Sequence, residues 1–60
     1  MKEFYTNYTK LDLVLKIIKS EDLDVTCQIV TTTLGDDIVV CGGEKEEIDC
    51  LIDVFNMVNV

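Results

Sequence analysis

Two segments of this sequence follow a helical repeat, and in both of them apolar residues cover more of the helix than one buried face requires. At 100° per residue, the apolar arcs span roughly 200° in segment 9–20 and roughly 220° in segment 44–58, whereas a surface helix needs a stripe of about 100°. A chain of 60 residues forms one small domain, and such a domain buries only about 60% of the surface that its unfolded form exposes. We therefore expect the surplus apolar surface to be covered by a second copy of the chain or by another partner.

The segment between the two helices predicts a β-hairpin, because apolar and polar residues alternate before a glycine-containing turn and a β-branched run follows it. With Leu34–Asp37 as the loop, Thr31 lies opposite Val40 and Ile29 lies opposite Gly42. The residues that then share the expected core face are Val25, Cys27, Ile29, Ile38 and Val40.

These segments predict an α+β fold with the order helix, β-hairpin, helix (αββα). Because an isolated two-stranded sheet is marginally stable in water, we expect homodimerisation to complete the fold. The chain is interpreted as one domain over residues 1–60, with an N-terminal arm over 1–8, a helix over 9–20 that has Thr9 as its N-cap, the hairpin over 23–41 and a helix over 44–58.

The residues expected to contact a second copy are the apolar ones that these core faces leave out. Two of them widen the apolar face of each helix, and two more lie on the second, half-apolar face of the hairpin. This self-association set comprises Leu13, Ile17, Val30, Val39, Val54 and Met57.

The charge balance argues against two classes of partner. The chain has a net charge of −7 and contains neither arginine nor histidine. Nucleic-acid binding needs a basic surface that displaces counterions, and anionic membranes repel an acidic protein, so we expect neither partner. No apolar run approaches the roughly 18 residues of a membrane span. Three cysteines without a CxxC spacing, and no signal peptide, indicate a cytoplasmic protein.

The sequence offers few groups for catalysis, so we expect no enzyme, no cofactor and no metal. Histidine is absent as a general base or ligand. Cys27 and Cys50 fall at apolar positions and are interpreted as small core residues. Cys41 precedes two glycines and a helix start, so it is either a structural residue or a reactive thiolate. A zinc site would require the three thiols to converge, and the expected register puts Cys41 and Cys27 on opposite faces of the hairpin.

The acidic residues have two interpretations. They can form a solvated surface that keeps the protein soluble, or they can dock into a basic pocket of another protein and steer the association. The aromatic residues of the arm, Phe4, Tyr5 and Tyr8, likewise either fold back on the core or anchor a partner. The candidate partner-binding residues are Asp36 and Asp37 at the hairpin tip, and Glu46, Asp49 and Asp53 on the last helix.

The order that runs from Leu11 through "DVTCQIVTTTLGDDIVV" to Phe55, in an acidic chain without catalytic groups, resembles an acidic anti-CRISPR family with helix, hairpin and helix. That family plugs the DNA-reading site of Cas9. More broadly, the chain resembles phage-encoded counter-defence proteins, which include small anti-CRISPR proteins and inhibitors of the Thoeris, Gabija and Hachiman systems. The resemblance implies inhibition by binding, often as a small homodimer, in the cytoplasm of the host cell.

Two functions are therefore expected from the sequence. The first is a non-enzymatic phage inhibitor that binds a bacterial host defence protein through its acidic surface. The alternative is a small structural or regulatory homodimer without an inhibitory role, in which the negative charge only maintains solubility.

Overall fold

The computed structural model describes residues 1–58. It confirms the α+β class and the order helix, hairpin, helix, and it adds one strand before the first helix. None of the helices in this range has the length and hydropathy needed to cross a bilayer. The elements are β1 (Lys2–Asn7), a 3-10 turn (Tyr8–Lys10), α1 (Leu11–Ser20), β2 (Val25–Thr31), β3 (Asp37–Gly43) and α2 (Lys45–Val58).

The N-terminal segment, which we interpreted from the sequence as an arm, is an edge strand. Its residues alternate in exposure, with Phe4 half-buried toward the helices and Tyr5 exposed on the other side. The strand pairs antiparallel with β3, where Phe4 lies opposite Cys41. Only one large apolar residue of β1 points to the core, so the strand carries little hydrophobic periodicity in its sequence.

The sheet has the strand order β1-β3-β2, with β3 in the centre. Both outer strands are antiparallel to β3, so β1 and β2 run parallel to each other. The helix α1 connects these two parallel strands, and β3 lies between them, which is a split β-α-β arrangement. An isolated hairpin is only marginally stable, and the third strand gives the sheet the additional pairing that a stable domain needs.

The hairpin register is shifted by three residues, an odd number, from the expected one. Ile29 lies opposite Val39 and not Gly42, and Cys27 lies opposite Cys41. The N–H of Thr32 donates to the carbonyl of Asp36 at 2.8 Å, so the loop contains three residues, 33–35. Gly35, at the last loop position, has a φ of +88°, which is the left-handed conformation that ends a three-residue hairpin loop.

The odd shift reverses the face of β3 that meets the helices. Val39 and Cys41 are fully buried, whereas Ile38 and Val40 lie on the opposite face and are partly exposed. Ile38 and Val40 therefore do not belong to the core face to which the sequence assigned them. Successive strand residues alternate between faces, so one odd slip moves every side chain of the strand across the sheet.

Both helices pack on the Val39 side of the sheet. In α2, Ile48, Leu51 and Phe55 recur at helical spacing and are buried, and Ile52 is partly buried beside them. The ring of Phe55 meets that of Phe4 edge to face, with 5.2 Å between the ring centroids. The buried core of residues 1–58 consists of Val14, Ile17, Val39, Cys41, Ile48, Leu51 and Phe55.

The two ends of α1 differ in how they are capped. Thr9 is not the N-cap: it lies inside the 3-10 turn, and no side chain caps the helix N-terminus. At the C-terminus, Leu23 N–H donates to the carbonyl of Ile18 at 2.9 Å, and Asp22 N–H donates to that of Lys19 at 3.3 Å. This pattern is a Schellman motif, in which Asp22 occupies the position that glycine prefers. Asp22 accordingly has a φ of +53°.

We expect Asp22→Gly to raise the free energy of unfolding by about 0.5–1 kcal/mol, because glycine adopts the left-handed conformation without steric cost. The substitution also removes a negative charge from the negative end of the helix dipole. Asp22→Asn, which removes only the charge, separates the two effects. Urea titration followed by circular dichroism measures both variants. An Asp22→Gly protein that unfolds at a lower urea concentration than the wild type would contradict the assigned conformation.

Candidate interaction surfaces

The sheet face opposite the helices is open to solvent and partly apolar. Across the three strands, Tyr5 lies beside Val40, and Ile38 lies beside Val30. Tyr5 is 60% exposed and Val30 is 42% exposed. The hydroxyl of Tyr5 donates a hydrogen bond of 2.9 Å to Glu3 on the same strand, and this bond raises the pKa of Tyr5 above its ordinary value.

The five candidate acidic residues do not form one surface. Asp36 and Asp37 lie at the hairpin loop, where β3 begins. Glu46 lies in the first turn of α2, next to the opposite end of β3. Asp53 lies farther along α2 and is exposed. The sequence interpretation gave these residues one role, whereas their positions separate the hairpin loop from the helix.

The carboxylate of Asp49, a further member of that set, is paired with two lysines of the same chain. It accepts hydrogen bonds from Nζ of Lys2 on β1 and from Nζ of Lys45, the latter at 2.8 Å. The contact with Lys2, followed by that with Lys45, lowers the pKa of Asp49 below its ordinary value. Such exposed ion pairs contribute little to stability, because solvent screens them. Asp49 therefore connects β1 to α2 and presents less uncompensated charge to a partner than Asp36 or Asp53 does.

Two shallow grooves flank Tyr8 at the loop end of the molecule. One is lined by Asn7, Tyr8 and residues 35–38, which run from the end of the loop into β3 and include Asp36 and Asp37. The other is lined by Tyr8, Thr9, Leu11 and Asp12. Tyr8 is 48% exposed between them, and no lysine lines either groove. We call the set Asn7, Tyr8, Asp12, Asp36 and Asp37 the tip surface.

The tip surface is held in place by both strands of the hairpin and by β1. Thr31 Oγ1 donates a hydrogen bond of 2.7 Å to the carboxylate of Asp37, and the N–H of Asp36 donates to Thr32 Oγ1 at 3.2 Å. Asn7, the last residue of β1, pairs with Ile38 and so brings Tyr8 beside the loop. Both aspartates were candidates from the sequence, and Tyr8 was one of the aromatic residues expected either to fold back on the core or to anchor a partner. Asn7 and the proximity of Tyr8 to the aspartates were missed, because β1 was interpreted as an unpaired arm.

The self-association set divides into three groups. Ile17 and Val39 lie in the core, with 4% and 0% of their surface exposed, so they have no area left for a second copy and are reassigned to the core. Leu13 and Val54 are half-buried against it. Val30 and Met57 are exposed, and they retain apolar surface that a second copy could cover.

Cys27 and Cys41 are cross-strand neighbours, in contrast to the opposite faces expected from the sequence. Their Sγ atoms are 3.3 Å apart. Burial, followed by the contact with Cys27, raises the pKa of Cys41 to about 12. A thiol with so high a pKa stays protonated at neutral pH, which favours the structural interpretation of Cys41 over the reactive one. Within residues 1–58 there is no group of three metal-ligating side chains.

We expect iodoacetamide to label Cys41 at least about tenfold more slowly than Cys50 in the folded protein, because only the thiolate reacts and Cys41 is both buried and protonated. Mass spectrometry of peptides sampled over time measures both rates. The unfolded protein in urea is the control, in which the difference should disappear. Labelling of Cys41 as fast as that of Cys50 at pH 8 would place Cys41 at the surface and contradict the register.

Comparison with known proteins gives no match: no protein family matches the sequence, and no curated protein or solved structure is significantly similar to it.

Proposed function

We propose that this protein is a non-enzymatic binding protein that docks on a basic site of another protein through the tip surface. The observation that supports the proposal is the position of Tyr8, an exposed aromatic ring with grooves on both sides that contain Asp12, Asp36 and Asp37. Tyrosine is a frequent anchor of protein interfaces. Carboxylates beside it select a positively charged partner group.

An arginine side chain of the partner has the chemistry that this surface recognises best. Its guanidinium group can stack on the ring of Tyr8 and donate two hydrogen bonds to a neighbouring carboxylate. The hydrogen bond from Thr31 holds the Asp37 carboxylate in place at one of the grooves beside Tyr8. The net charge of −7 adds long-range attraction, which raises the association rate and weakens as salt concentration increases.

The biological setting that we propose is the cytoplasm of a phage-infected bacterium, where the protein inhibits a host defence protein by occupying a basic site on it. Three observations support this setting: the acidic charge, the tip surface, and the helix–hairpin–helix order that underlies the resemblance to counter-defence proteins. A defence protein that handles nucleic acid exposes the arginine and lysine side chains that such an inhibitor needs.

A plating assay tests this function. The protein is expressed in a panel of bacterial strains, each of which carries one defined defence system, and phage plating efficiency is measured. We expect plating to be restored in one strain. The double variant Asp36→Asn/Asp37→Asn should lose this effect, and Tyr8→Ala should weaken binding to the purified defence protein at least about tenfold, as expected for a hot-spot residue.

The matched control is Glu46→Gln/Asp53→Asn, which removes the same amount of charge from α2 and leaves the tip surface unchanged. We expect this variant to restore plating as the wild type does. Equal losses from the two double variants would contradict the tip surface and leave only a general charge effect. No restoration in any strain of the panel would contradict the inhibitory function.

The second candidate function, a structural or regulatory homodimer, is favoured by a different observation. Apolar side chains stay exposed on elements far apart in the sequence, with Ile29 and Val30 on β2 and Met57 on α2. Exposed apolar residues of this kind are typical of association sites when they form a continuous area. Such a dimer leaves the tip surface free and is compatible with the first function.

A further inference from the structure

The outer edge of β2 lacks the charges, prolines and bulges with which proteins protect an edge strand. Its sequence, "VTCQIVT", contains no charged residue and no proline. Its register with β3 is continuous over seven pairs, without a bulge. Natural edge strands are protected by charges, proline, bulges or short length, because their free N–H and C=O groups otherwise pair with another chain. The other edge strand, β1, carries Lys2 and Glu3.

The loop geometry determines which backbone groups of β2 face the free edge. Thr32 N–H bonds to Asp36 across the hairpin, so Thr32 belongs to a hydrogen-bonded pair, and such pairs alternate along antiparallel strands. Thr26, Gln28 and Val30 therefore bond to β3. The N–H and C=O groups that point outward are those of Val25, Cys27, Ile29 and Thr31.

We propose that this protein forms a homodimer in which β2 pairs antiparallel with β2 of a second copy, about a twofold axis that passes through Gln28. This register places Val25 opposite the partner's Thr31 and Cys27 opposite the partner's Ile29. Both members of each pair point their backbone groups outward, so the pairing forms about eight main-chain hydrogen bonds. It uses the full length of the strand, and the two sheets join into one sheet of six strands.

The side chains of β2 complement themselves in this register. Ile29 lies on the helix side of the sheet but is 51% exposed, and the partner's Cys27 would cover it. On the open face, Thr26 would lie beside the partner's Val30. Cross-strand pairs of this type stabilise a sheet, and no charged residues oppose each other within the strand.

The distribution of charge explains why the second copy binds here and not elsewhere. Each copy carries a net charge of −7, so most contacts between copies bring like charges together. The seven residues of β2 form an uncharged strip. It is bordered by Asp24 at one end and by Asp36 and Asp37, which follow the hairpin loop, at the other. Repulsion between these flanking carboxylates predicts that added salt strengthens the dimer, because it screens them.

This inference rests on the second candidate function, the homodimer, and deepens it because it names the interface. The strand pairing itself uses no residue of the tip surface. The first experiment is hydrogen exchange of the wild-type protein, followed by NMR at a low and a high protein concentration. We expect the amides of Thr26, Gln28 and Val30 to be protected at both concentrations. Those of Val25, Cys27, Ile29 and Thr31 should become protected only when the protein is concentrated.

The second experiment measures mass by sedimentation equilibrium. We expect the wild type to approach twice the 6.8 kDa of one chain, and Ile29→Lys to remain a monomer with an unchanged circular dichroism spectrum, because an edge lysine prevents pairing. Tyr5→Lys is the matched control: it places the same charge at an exposed position of the other edge strand and should still dimerise.

Two results would overturn the inference, and they differ in what they leave intact. A wild-type protein that stays at 6.8 kDa up to millimolar concentration would contradict any homodimer. A dimer in which the four outward amides of β2 exchange freely, or which Tyr5→Lys dissociates and Ile29→Lys does not, would keep the homodimer and contradict this interface. Neither result affects the plating assay, which depends on Asp36 and Asp37.

Discussion

The pairing of β3 with its two neighbours determines which of its residues meet the helices. The three-residue loop that ends at Gly35 sets the register with β2, and the pairing of Phe4 with Cys41 sets the register with β1. Together they turn Val39 and Cys41 toward α1 and α2, where both side chains are fully buried. Because a strand alternates, the same register turns Ile38 and Val40 to the open face and directs alternate backbone groups of β2 outward.

The helices could be predicted from the sequence because their signal is local. In α2, the buried residues Ile48, Leu51 and Phe55 follow the same helical repeat that predicted the helix. The hairpin could be predicted only in outline, since its loop length depends on the single glycine at position 35. Because β3 has apolar residues on both faces, the expected and the observed register both place apolar side chains toward the helices. The sequence pattern therefore does not show whether Val39 and Cys41 or Ile38 and Val40 are the buried pair.

The strand β1 and the site beside it required tertiary information. In β1, Phe4 is the only large apolar residue directed at the core, and its partners Cys41 and Phe55 are distant in the chain. Once β1 is paired, Asn7 and Tyr8 come to lie beside Asp36 and Asp37. The aspartates were recognisable as charges in the sequence, whereas the exposed tyrosine between two grooves is a product of the fold.

The surface of this small protein divides into regions with different electrostatic character. Lys2 and Lys45 hold the carboxylate of Asp49 and so connect β1 to α2. The tip surface concentrates negative charge around an aromatic ring, which suits a basic partner. The outer edge of β2 is uncharged, which suits another strand of the same kind. The protein can thus attract a basic partner at the tip surface, whereas two copies can approach each other along β2 without opposing charges within the strand.

The register of β3 is tested most directly by cross-strand nuclear Overhauser effects between Hα protons, which lie close together in non-hydrogen-bonded antiparallel pairs. The structure predicts strong contacts between Cys27 and Cys41 and between Ile29 and Val39. A strong contact between Ile29 and Gly42 in their place would mean that Ile38 and Val40 face the helices. That result would contradict the core, the open face and the outward groups of β2 at once.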